Sequence, residues 1–234
     1  MGNNPINRND PDGLVDFIYT PGNSRPRIEY NWSNLLSLNA YAEQNGVRYP
    51  LGDGGVPAGG FDQIIGQNVT RFMVDEQISS NVLAEGGPIP YGSNSTSGDI
   101  WNYVANGSGP LRHVADSSWP GQAWDTKELF SPQSLYIVNG VAQRNDYVGN
   151  VVWGATVRDY GVSEFVAHRG ADYQSYTADN GLWLDAPRDS AAISAGFDWN
   201  INYADWGGSA GAGGGFVLYP SRPNTNMMSS VYRK

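Results

Sequence analysis

Trp124-Asp125-Thr126-Lys127-Glu128 is the densest group of reactive side chains in this sequence, and a further carboxylate, Asp146, follows it. Two carboxylates are what glycoside hydrolysis needs. One protonates the leaving oxygen, and the other acts as base or nucleophile on the opposite side of the scissile bond. Asp125 or Glu128, beside the aromatic wall of Trp124, is the candidate acid, and Asp146 is the candidate second carboxylate. Lys127 can orient an anionic group of the substrate, and Trp153 offers an aromatic face to it. Each residue also has a plain structural alternative. Asp125 and Asp146 both precede stretches with helical character and could serve only as caps.

A second set suits phosphoryl chemistry. His168 can act as a general base, and Arg158 can clamp a phosphate through its bidentate guanidinium fork. Asp185 and Arg188 flank Pro187 and add an acid and a cation. A nuclease built this way would gather Arg112, Arg144, Arg158, Arg169 and Arg188 into one cleft. The structural alternatives are a solvated helix face for Arg158, a surface His168, and an internally paired helix start for Asp185 and Asp189. With two His and no Cys, a catalytic zinc site is not expected, although carboxylates can hold Mg²⁺. No metal and no cofactor is assigned. The chain has no GxSxG elbow, Walker loop or HExxH motif. Ser95-Thr96-Ser97 lacks the Glu-x-Glu partner that ADP-ribosyl transfer would need.

These residues must be positioned by short elements. Val148, Val151, Val152 and Ala155 recur at i, i+3, i+4 and i+7, which predicts a helix from Asp146 to Tyr160. Gly149 and Gly154 weaken it by about 1 kcal/mol each relative to Ala, and such glycines permit close packing. Ser163 can cap a helix running to about Tyr176, and Asp185 can cap one from Arg188 to Trp199 with Pro187 in its first turn. Further helices are expected at 69–85, capped by Asn68, from Ser97 or Asp99 onward, and across 34–44. Phe17-Ile18-Tyr19, Ile28-Glu29-Tyr30 and Phe216-Val217-Leu218-Tyr219 read as short strands. Residues 50–60 read as a flexible linker and 207–215 as a glycine-rich loop. The expected fold is mainly α to α+β, with short helices, a few short strands and Gly-rich loops behind a flexible arm.

Composition narrows the function. Forty per cent of residues are hydrophobic and 16% charged, which supports a folded core over disorder. Eight Trp and 14 Tyr suit stacking on sugars. The absence of Cys excludes disulfides and thiolate-bound metals. The net charge of −9 disfavours a polyanionic substrate at long range, though screening over about 8–10 Å leaves room for a local basic cleft. It also favours a basic protein partner. There is no apolar run of about 18 residues to span a membrane and no signal-peptide pattern at the start.

The opening residues, Met1 to Leu14, read Gly-Asn-Asn-Pro-x-Asn-x-x-Asp-Pro-x-Gly-Leu after the methionine. This string closely resembles the signature that ends the shell of Rhs and YD-repeat proteins. In that family it separates a β-repeat cage from a variable C-terminal toxin. The resemblance implies that Asp10, Pro11, Asp12, Gly13 and Leu14 form an autocleavage motif with its scissile bond at Leu14–Val15. An isolated chain without its cage is expected to stay uncleaved. The order Trp124-Asp125-Thr126-Lys127, Asp146 to Asn150, Trp153-Gly154, Arg158, Gly161, Asp185 to Asp189 and Ile193 to Gly196 is similar to the polymorphic toxin type 44 family. It departs from that pattern where Phe165, His168 and Arg169 follow Gly161.

Together these resemblances imply a junction at 1–14, an extension and linker at 15–66, and a toxin domain at 67–234. The implied role is an antibacterial effector, secreted or delivered into a neighbouring cell by dedicated machinery. Its expected partners are the Rhs cage of its parent polypeptide and a cognate immunity protein. The expected reaction is hydrolysis of a cell-wall glycan. The alternatives are a nuclease acting in the target cytoplasm and a non-enzymatic binding module.

Overall fold

A computed structural model of the chain describes residues 15–30, 39–84, 106–107, 111–178 and 186–201. The junction at 1–14, Asp185, the helix expected from Ser97 or Asp99, the loop at 207–215 and the strand at 216–219 lie outside them. The fold is α+β, with five helices and two small sheets among the described residues. Contacts divide the chain into two compact units. One is Met1–Val74 with Asp125–Asn150, and the other is Asp75–Trp124 with Val151–Lys234.

The first unit holds the strands. Sheet order is β2-β1-β3-β4, from β1 (Val15–Tyr19), β2 (Arg27–Tyr30), β3 (Asn39–Gln44) and β4 (Val47–Pro50). β1 runs parallel to β3, and the outer pairs are antiparallel. The helix expected across 34–44 is not formed at its described end, where residues 39–44 are strand. Asn45 and Gly46 take φ of 53° and 77°, the left-handed pair that closes a two-residue hairpin and commits both flanks to strand.

One face of this sheet packs Phe17, Tyr19 and Ala42 into an apolar cluster with Phe61, Ile64, Leu135 and Ile137. A charged network joins β2, β3 and β4. Arg48 meets Glu43 at 2.6 Å and Glu29 at 2.9 Å, and Arg27 meets Glu29 at 2.8 Å. The hydrogen bond from Arg48, followed by the charges of Arg48 and Arg27, holds the Glu43 carboxyl below its usual range despite opposing desolvation.

The second sheet, β5 (Gln63–Ile65), β6 (Ser134–Val138) and β7 (Val141–Gln143), repeats the device. β5 pairs parallel with β6, and Asn139-Gly140 closes the β6–β7 hairpin with φ of 50° and 81°. The stretch 50–60 is stitched between strands. Leu51 N–H donates to Ala40 O at 2.9 Å, and Gly52 N–H donates to Ala142 O at 3.0 Å.

The helices are α1 (Gln67–Ala84), α2 (Arg112–Ser117), α3 (Asn145–Asp159), α4 (Glu164–Ala178) and α5 (Pro187–Phe197). α1 starts ahead of Asn68, which therefore sits in the first turn and is not the cap. α3 buries Val148, Val151, Val152 and Ala155 completely, as its period requires. Ser163 caps α4, its hydroxyl accepting from Val166 N–H at 3.4 Å. Ala186 stands at the N-cap of α5 and makes no side-chain capping bond, and Pro187 opens the helix.

In the second unit the backbones of α3 and α5 cross at two glycines. A Cβ on Gly154 would lie 2.5 Å from Ile193 O, and one on Gly196 would lie 2.7 Å from Ala155 N. Both distances are below van der Waals contact, so the crossing requires residues without a Cβ.

Candidate functional site

Lys127 and Glu128 sit on a 3-10 turn (Thr126–Leu129) with Asp125 at its N-cap position, and Asp146 sits in the first turn of α3. Neutral groups tie these two elements together. The buried Thr126 hydroxyl donates to Gly149 O at 2.6 Å, and Asn145 Nδ2 donates to Lys127 O at 3.3 Å. Gly149 admits the turn, because a Cβ there would lie 2.8 Å from Lys127 Cα and 2.9 Å from Lys127 N. The WDxK element and the helix carrying Asp146 are therefore in backbone contact.

Within that contact, Lys127 and Glu128 are exposed and Asp125 is half-buried. Asp125 makes no side-chain capping bond to its own turn. Asp146 Oδ1 accepts from Tyr147 N–H at 2.9 Å, and its Oδ2 lies 3.6 Å from Arg144 Nη2. Asp146 thus has a backbone donor on one carboxylate oxygen and a cation near the other. Asn150, one helical turn beyond Asp146 on α3, is buried, and its Nδ2 has no partner among the described residues. Sequence reasoning placed Asn150 only in the family resemblance and passed over Asn145. Their spacing around Asp146 and Gly149 on a predicted helix was the available signal.

The remaining candidates belong to the second unit. Arg158 Nη1 donates to the carbonyls of Gly196 (3.3 Å), Phe197 (2.9 Å) and Trp199, while Nε donates to Asp159 at 2.7 Å. It thus caps the C-terminal end of α5, where orphan carbonyls and the helix dipole favour a cation. His168 Nε2 lies 3.1 Å from Ser194 Oγ, which donates to Glu164 Oε1 at 2.7 Å. One imidazole nitrogen therefore faces both the hydroxyl and the carboxylate (3.7 Å), and the cluster fastens α4 to α5. A nucleophilic triad would instead place the acid on the other ring nitrogen. Ser194 and Glu164 escaped sequence reasoning, because thirty residues separate them.

Trp153 donates through Nε1 to Ser118 Oγ at 2.8 Å. Trp124 is buried, edge-on to Tyr160 at 5.0 Å and to His113 at 5.7 Å, and so forms core rather than a substrate-facing wall. Arg188 is half-buried near the start of α5.

Arginines that a basic cleft would use are paired locally. Arg112 meets Asp116 at 3.2 Å, Arg144 meets Asp146 at 3.6 Å, Arg158 meets Asp159 at 2.7 Å and Arg169 meets Asp172 at 2.9 Å. Among the described residues, no three His, Asp or Glu side chains converge as metal ligands. No helix among them is long and apolar enough to cross a membrane. No protein-family model, no curated protein and no solved structure matches the chain.

Proposed function

We propose that this chain is the cargo toxin of an Rhs-type effector and that it hydrolyses a cell-wall glycan with paired carboxylates. Asp146 is the base or nucleophile. Asp125 or Glu128 is the acid that protonates the departing glycosidic oxygen, and Lys127 orients an anionic substituent. The observation that carries this reading is the Gly149–Lys127 approach, which joins the turn bearing two acids to the helix bearing the third. The resemblance at Met1–Leu14 supports delivery from a cage, and the net charge of −9 favours a basic immunity protein as the partner that restrains it.

The local pairing of four arginines counts against a nuclease, since each pair spends a cation that phosphates would need. Expression in a test bacterium separates the readings. Growth arrest only when the chain is directed to the periplasm supports a cell-wall target. Arrest from the cytoplasm contradicts it and favours nucleic acid or nucleotide chemistry. Arrest that survives every single carboxylate substitution, with the fold intact, points instead to a non-enzymatic binder.

A further inference from the structure

The second unit contains an apolar cavity of about 70 Å³ between α2, α3 and α4, open at its mouth. Trp119, Trp153, Tyr173 and Val166 supply its walls, and none of the described residues lining it carries a charge. Its polar groups bond to one another. Trp153 Nε1 donates to Ser118 Oγ, Ser118 Oγ donates to Val114 O at 2.6 Å, and Gln174 Nε2 donates to Ser118 O at 3.1 Å.

Gly170, in the interior of α4, lines the cavity and is exposed, which puts it on the open side. Gly149, Gly154 and Gly196 each have backbone where a Cβ would go, but a Cβ on Gly170 would meet nothing within 4 Å. Packing therefore does not require glycine at 170, and glycine is a poor choice for a helix interior. What a side chain at 170 would do is narrow the cavity mouth.

We infer that this cavity is a binding site for a small, uncharged aromatic group, kept open by Gly170. Charge is disfavoured because the described lining residues offer no counter-ion, and burying an unpaired charge is costly. A ring is favoured because three aromatic side chains face the space. Apolar cavities of about 150 Å³ take up benzene whole. At less than half that volume, this open cavity would take a ring edge-first and leave the rest of it at the mouth. The inference is independent of the glycan reading, because the cavity is built wholly from residues of the second unit.

Toluene, with benzoate as the charged counterpart of the same ring, tests it by saturation-transfer NMR on the full chain. Saturable toluene binding is expected, with benzoate at least about tenfold weaker. Gly170→Leu should weaken toluene at least about tenfold by filling the mouth, and Gly170→Ala about threefold. Gly170→Ala also favours helix and keeps the test decisive should the leucine variant misfold. No saturable toluene binding, equal binding of benzoate, or unchanged affinity in Gly170→Ala would overturn the inference. In that case the space belongs to a protein side chain or to a second copy of the chain, the latter visible as a dimer by light scattering.

Discussion

The joint between the 3-10 turn and α3 in the first unit and the joints of α5 in the second are made by different means. In the first, the 3-10 turn and α3 are held together by the Thr126 hydroxyl, the Asn145 amide and the bare backbone of Gly149. In the second, the charged side chains are themselves the fasteners. Arg158 gathers the last carbonyls of α5, and Glu164 and His168 hold Ser194. Charged residues with similar sequence credentials thus divide according to who builds the scaffold. The bonds from Thr126 and Asn145 join the turn to α3, and those of Arg158, Glu164 and Ser194 hold α5.

Substitution at Asp146 should give the largest effect. Asp146→Asn is expected to lower glycan hydrolysis by about 10²–10⁴-fold while leaving the melting temperature nearly unchanged. Arg158→Leu should do the reverse, costing about 1–3 kcal/mol by orphaning the carbonyls at the end of α5, with little loss of specific activity in the folded fraction. Denaturant unfolding beside turnover measures both, and an inactive but fully stable Arg158→Leu would erase the contrast between the units.

The glycines sharpen it. Gly196→Ala should destabilise by about 1–3 kcal/mol through backbone overlap in the second unit. Gly149→Ala should destabilise by about 1–3 kcal/mol as well, but with activity falling further than stability, because it pushes the acid-bearing turn away from α3.

The smallest effect is at the charged network of the first sheet. Glu43 has a lowered folded pKa, so its stabilisation is present above the ordinary carboxylate range and is lost as pH falls through the lowered value. Glu43→Gln should therefore melt slightly earlier than the parent near neutrality, and the two melting curves should converge in acid.

Much of the helical fold was legible. The i, i+3, i+4, i+7 valines of α3, the Ser163 cap and Pro187 at the start of α5 all act locally, within one or two turns. The strands were less so. Val138-Asn139-Gly140-Val141 and Gln44-Asn45-Gly46-Val47 each contain the strongest short-range hairpin signal, yet a search led by chemistry skips the first and reads helix up to the second.

The candidate site was legible as a list of residues and not as an arrangement. That Trp124 is core and that Arg158 is a helix cap depends on contacts across tens of residues, which no local spacing encodes. The glycine pair at 154 and 196 looks like a helix weakness in sequence and becomes a requirement only once two backbones meet.

The most direct test is digestion of purified peptidoglycan by the folded chain, scored by new reducing ends, with Asp146→Asn in parallel. The account predicts release by the parent chain and about 10²-fold or greater loss in the variant, with both proteins equally folded. Equal release from both, or none from a well-folded parent chain, would contradict it.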